Sequence, residues 1–118
     1  MDLNGIEMTW LGHATFRFRT AEGTTVLIDP WLAGNPACPE AEHTQDRVDA
    51  IFITHGHFDH MADAAPLART HRAPVFAIHE IAVHLQQQGV ENVVGLNKGG
   101  TVAGPGGIRG TMVDAVHS

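Results

Sequence analysis

The sequence predicts an α/β domain: a mixed or antiparallel sheet that carries its helices on one face. Three observations lead there. Residues 6–28 break into three short strand-like runs separated by turn residues. Residues 48–94 then alternate short apolar runs with helix-length segments, a change of hydrophobic period that separates strands from helices. A histidine-rich run begins where one of the apolar strands ends.

Taken in order, residues 6–11 form the first strand, broken by Gly12. Residues 14–19 alternate apolar and polar side chains, the period of a half-buried strand. Turn chemistry at residues 20–23 leads into residues 24–28, the third strand of an antiparallel meander. Asp29-Pro30 stops it, because proline cannot continue sheet pairing. Residues 31–47 hold Gly34, Asn35, Pro36 and Pro39 and read as a loop, of a length that in compact domains is functional or mobile. Residues 48–53 form a buried strand, and residues 61–72 an Ala-rich helix in which Pro66 suits a first turn. Residues 74–78 give another strand, residues 79–88 a helix closed by Gly89, and residues 90–94 a further strand. From Asn97 onward Gly99, Gly100, Gly104, Gly106 and Gly107 punctuate hairpin turns. They lack the strand-to-helix placement of a phosphate-binding loop. The last strand spans residues 108–116 and delivers His117 at its end.

At 118 residues the chain is one domain at most. A formal charge of -6, with no cluster of Lys or Arg, excludes a nucleic-acid footprint. No apolar run approaches the ~20 residues of a membrane helix, and no basic start precedes an apolar core as in a signal peptide. The single cysteine, Cys38, forms no internal disulfide and fits a cytoplasmic setting. The expected partner is a small-molecule substrate, with neither nucleic acid nor membrane.

The chemistry concentrates in Thr54-His55-Gly56-His57-Phe58-Asp59-His60. Three imidazoles and a carboxylate leave a rigid strand together. His55 and His57 are two apart, so in near-extended backbone they point the same way and share one ion. Asp59 and His60 lie beyond a turn and face a second. Gly56 lets the backbone bend between two of the ligands. Nitrogen and oxygen donors without thiolate suit zinc, iron or manganese at a reactive site rather than a structural zinc knot.

The flanking segments are Trp10-Leu11-Gly12-His13-Ala14-Thr15, Ile28-Asp29-Pro30, Thr111-Met112-Val113 and Ala115-Val116-His117-Ser118. With them, the run resembles the metallo-β-lactamase superfamily, whose signature His-x-His-x-Asp-His is matched by His55, His57, Asp59 and His60. Within it the chain is similar to the cytoplasmic metal-dependent hydrolases that include ascorbate-6-phosphate lactonase-like proteins. The resemblance implies an αββα sandwich of two similar halves, with residues 1–118 corresponding to the N-terminal half. It implies two divalent ions, zinc with manganese or iron as alternatives, and hydrolysis of an ester, lactone or phosphodiester-type bond. It places His55, His57 and His117 on a first metal and Asp59 and His60 on a second, with Asp59 also orienting the attacking water.

Two readings stay open for Asp29: a carboxylate that supports the metal loop from behind, or a turn residue before Pro30. Two stay open for His13: lining the pocket mouth, or a loop histidine satisfied by backbone. His71, His79 and His84 lie in or beside helices, lack a partner spacing and read as surface positions, and His43, in the long loop, is not expected to approach the substrate. In the family the second half supplies a further Asp and a further His. The chain is therefore expected to be a fragment of a longer enzyme, with one sheet face lacking its partner layer, that needs the missing half or self-associates. Two other functions compete: a metal-binding half-domain acting by association, and a di-iron redox protein of the same fold, because both iron and zinc accept these donors.

Overall fold

The computed structural model describes Met1 and residues 3–117. Strands β1 (Glu7–Trp10), β2 (Phe16–Arg19) and β3 (Thr25–Ile28) form the antiparallel meander, with Trp10 opposite Phe16 and Phe16 opposite Ile28. At β3 the sheet changes sense. β4 (Ala50–Phe52), β5 (Val75–Ile78) and β6 (Val93–Leu96) run parallel to β3, and the six strands lie in sequence order. The sheet is thus mixed, and its parallel strands read as unbroken apolar runs because they pack apolar side chains on both faces.

Alternation sorts the side chains. Leu27, Ile51, Ile53, Val75 and Ala77 belong to one buried cluster, which α2 (Ala64–His71) and α3 (His79–Gln87) complete through Ala64, Ala65, Ala68, Ile81 and Leu85. Both helices therefore pack on one face. The loop after β3 closes over the same cluster with Leu32 and Cys38 and contains a short 3-10 turn at Glu40–Glu42. It is pinned to β2: the nearly buried Arg17 donates from Nη1 to Glu42 Oε1 at 2.7 Å and to Gln45 Oε1 at 3.0 Å. The Arg17 hydrogen bond holds the Glu42 carboxyl below the usual carboxylate range.

The opposite face is built around phenylalanines together with valines and alanine. Val26, Ala50 and Phe76 are buried there, with Phe18, Phe52, Val94 and Leu96 packed beside them. Phe52 and Phe76 stack at 4.7 Å with 17° between their planes. A hairpin of β7 (Thr101–Ala103) and β8 (Arg109–Thr111) forms a separate two-stranded sheet over this face, through Val102 and Ile108. Gly110 makes that approach possible, because a Cβ there would collide with the Phe52 ring. The cover is partial and leaves an open apolar groove of about 490 Å³ lined by Ile6, Phe18, Val26, Phe52, Leu96 and Ile108.

Three boundaries depart from expectation. The first helical turn starts early, as α1 (Phe58–Met61), and breaks at Asp63. There Asp63 N donates to Pro30 O at 3.0 Å and its carboxylate accepts from Leu32 N at 2.6 Å. Pro66 is the third residue of α2, where an amide would lack an intrahelical acceptor anyway. β6 begins at Val93 rather than at residue 90, because Val90 N turns back to Leu85 O beyond the Gly89 cap and Val90 joins the core. β8 ends at Thr111 instead of residue 116: one more residue pairs, with Met112 N donating to Gly100 O and Gly99 N to Met112 O, and there the partner strand runs out. Residues 113–117 continue without regular structure. Among the described residues no helix is long and apolar enough to cross a membrane.

Candidate metal centre

Because β3 and β4 are parallel neighbours, their C-terminal ends lie side by side. Asp29 follows one and Thr54 to His60 follow the other. Asp29 is 2% exposed, with φ at 50°, a left-handed conformation in which Asp and Asn are enriched. Thr15 Oγ1 donates to its carbonyl at 2.7 Å. Its carboxylate faces the metal loop: Oδ1 accepts from Thr54 N at 2.7 Å, and Oδ2 accepts from Thr54 Oγ1 at 2.6 Å and from His60 Nδ1 at 2.7 Å. Asp29 thus precedes Pro30 and is also hydrogen-bonded to the loop that carries the histidines.

His55, His57 and His117 come together. Their ring centroids are 4.6 to 4.7 Å apart, and one donor nitrogen from each lies within 4.8 Å of the others. His117 reaches this point although no strand delivers it. Asp114, on the same segment, pairs with Lys98 at 2.9 Å on the surface. His55 Nδ1 contacts Thr54 Oγ1 at 2.9 Å, while its Nε2 is buried without a hydrogen-bond partner among the described residues. Burial, followed by the neighbouring His60, His117 and His57, holds the His55 pKa below its ordinary value and so favours the neutral imidazole that ligates metals. An orphaned, buried, neutral nitrogen beside two other imidazoles fits a divalent cation.

A second group adjoins the first. His13, Asp59 and His60 each place a donor atom within 4.8 Å of the others, and Asp29, His55 and His60 do the same. His13 Nε2 lies 3.2 Å from Asp59 Oδ2, and His60 Nε2 lies 3.8 Å from Asp59 Oδ1. His55 and His60 have their ring centroids 4.0 Å apart, so the two groups touch. His13 therefore stands beside Asp59, with 41% of its side chain exposed. Edge-to-face contacts continue outward from His13 to Trp31 at 5.5 Å and from Trp31 to Phe58 at 6.0 Å. Phe58 itself is 71% exposed.

Gly56 is not in the left-handed region, and a Cβ on it would make only ordinary contacts with Ile81 and Met61. The bend between His55 and His57 does not demand glycine. His43 Nε2 sits 3.2 Å from Cys38 O, and His71, His79 and His84 lie outside the three donor groups. Cys38 is buried, and that burial pushes its thiol pKa up. Sequence reasoning missed Thr54, Trp31 and Phe58. The role of Thr54 depends on Asp29, 25 residues earlier, and only the polar side chain next to His55 hinted at it.

Histidines and carboxylates gathered at one end of a mixed sheet, in two touching groups, define an α/β metal-binding domain. The profile of the metallo-beta-lactamase superfamily matches residues 8–117, and the chain belongs to that superfamily. It is 56% identical over 118 residues to a UPF0173 metal-dependent hydrolase of Koribacter versatilis, covering 100% of this chain and 50% of that protein. To a UPF0173 metal-dependent hydrolase of Rubrobacter xylanophilus it is 51% identical over 116 residues, covering 98% of this chain and 48% of the other. Among solved structures it is similar to Igni18, a metallo hydrolase of Ignicoccus hospitalis, with a TM-score of 0.71 and 35% identity over 82% of this chain and 42% of that one. The chain spans about half the length of the curated relatives it matches.

Proposed function

We propose that this chain forms the N-terminal half of a metal-dependent hydrolase that cleaves an ester, lactone or phosphodiester-type bond in a small molecule. The observation that carries the reading is the buried Nε2 of His55, unpartnered among the described residues, beside His57, His117 and His60. His55, His57 and His117 would hold one cation, and His13, Asp59 and His60 border a second, with zinc favoured and manganese or iron accepted by the same donors. When bound, the metal supplies Lewis acidity and lowers the pKa of water toward ~7. Asp59 is half exposed, with its two oxygens turned toward His13 and His60. It presents an acceptor that orients a water and takes up a hydrogen bond from it. Asp29 and Thr54 hold the rings behind the site, and Trp31 with Phe58 forms an apolar rim beside it. A cytoplasmic setting belongs to the same reading, because Cys38 is a free, buried thiol.

The test is turnover of a panel of aryl esters, lactones and phosphodiesters by the zinc-, manganese- or iron-loaded protein, beside Asp59→Asn. Metal-dependent turnover that falls at least 100-fold in the variant while folding is kept supports the reading. Equal turnover in both refutes the role of Asp59. A second reading, association through the partly covered sheet face, is favoured by the apolar groove of about 490 Å³. On that reading the face takes either the C-terminal half or a second copy.

A further inference from the structure

We propose that Asp29, acting directly on His60 and through Thr54 on His55, fixes which ring nitrogen carries the proton in one histidine of each donor group. Hydrogen-bond roles decide the arrangement. A carboxylate only accepts, so Thr54 Oγ1, 2.6 Å from Asp29 Oδ2, donates its single proton there. The same oxygen lies 2.9 Å from His55 Nδ1 and has only lone pairs left to offer. His55 Nδ1 must therefore carry a hydrogen, and the lone pair of the neutral ring falls on Nε2, the buried atom with no partner among the described residues. His60 Nδ1 likewise donates to Asp29 Oδ2 at 2.7 Å, which leaves its Nε2 free on the side of Asp59. One carboxylate oxygen thus prepares two rings, 4.0 Å apart, to offer lone pairs to neighbouring cations. Thr54 is a positioning residue: it acts through His55.

The inference rests on reading both Nε2 atoms as ligands, but its own content is the position of two protons in the metal-free protein. Asp29→Asn inverts the pattern by the same logic. Oδ1 must still accept from Thr54 N, so the amide nitrogen replaces Oδ2 and donates to both neighbours. His60 Nδ1 then accepts and its hydrogen moves to Nε2. The Thr54 hydroxyl, relieved of the carboxylate, donates to His55 Nδ1, and that ring changes in the same direction. Asn is well suited to the backbone at φ 50°, so the substitution leaves the loop's conformation available.

The experiment is two-bond 1H–15N correlation NMR of the metal-free 118-residue chain at about pH 8, followed by zinc titration against a chelator. Wild type and Thr54→Ser should show Nδ1–H tautomers at His55 and His60. Thr54→Val should lose the pattern at His55 alone, and Asp29→Asn should invert it at both. Zinc affinity should fall about 10- to 100-fold in Thr54→Val, the usual effect of removing a partner of a ligating histidine, and return in Thr54→Ser. An Nε2–H tautomer at His55 in the wild type, or an unchanged His55 in both Thr54→Val and Asp29→Asn, overturns the proposal. If the tautomers follow the expected pattern but wild type takes up no zinc, the proton arrangement stands and the metal reading fails.

Discussion

Replacing Gly110 by Ala should loosen the metal centre from the far side of the sheet. Gly110 is in β8, directly over Phe52, and a Cβ would press on three atoms of that ring. Phe52 cannot swing away freely, because it stacks on Phe76 at 4.7 Å. Overpacking of this kind costs about 1–3 kcal/mol. The alternative is for the hairpin to lift, which exposes the half-buried Val102 and Ile108; at about 1.5–3 kcal/mol for each fully buried side chain, half-burial makes that about equally costly. The hairpin therefore moves at least in part, and with it the segment that carries His117. Denaturant unfolding of Gly110→Ala should show a loss of about 1–3 kcal/mol, and chelator competition a weaker zinc affinity. His117→Ala should lose the affinity without the stability. In the double variant the affinity losses should fall short of additive, since both act through His117. Fully additive losses, or unfolding identical to wild type, would refute the coupling.

His57→Ala should abolish tight binding of the first equivalent of zinc; unchanged stoichiometry and affinity would remove His57 from the site. The metal-free chain should lose stability as pH falls. His55 is held below its ordinary value of about 6.5, so the unfolded chain binds that proton first, and the contribution present above pH 6.5 disappears below it. Glu42, also held low, adds a second loss below about pH 4.5, where the unfolded carboxyl is protonated first. A denaturation midpoint that stays level from pH 7.5 to 5 would contradict the first part. Finally, sedimentation at micromolar concentration should find the 118-residue chain associated, because its second sheet face keeps an open apolar groove; a monodisperse, cooperatively unfolding monomer would show that the hairpin covers this face well enough.

The meander, the alternation of strands and helices, and the His55 to His60 run were legible because each rests on a local signal: period-two alternation, Gly89 closing a helix, or donors crowded within six positions. What escaped was set by distant partners. The break at Asp63 depends on Pro30 and Leu32, and the short β8 depends on where β7 begins, whereas the late start of β6 follows from a local bond to Leu85. The same holds in the site. That His13 meets Asp59, and that Thr54 joins Asp29 to His55, follows from strand ends being neighbours across the sheet. Nothing in the residues beside them says so. The phenylalanines of the second face were visible as apolar positions, but only the hairpin above them explains why one of its residues is Gly110.

The donor cluster straddles two separately hydrogen-bonded sheets: His55, His57 and His60 descend from β4, whereas His117 lies beyond β8 in the detached hairpin. An ion gripping His55, His57 and His117 would act as a rivet between two pieces that, among the described residues, meet through side-chain packing and the segment joining β6 to β7. Its occupancy would then gauge how firmly those pieces are docked. A coloured substitute such as cobalt would make the seam between the sheets visible to an optical spectrum, whatever the chemistry carried out beside it.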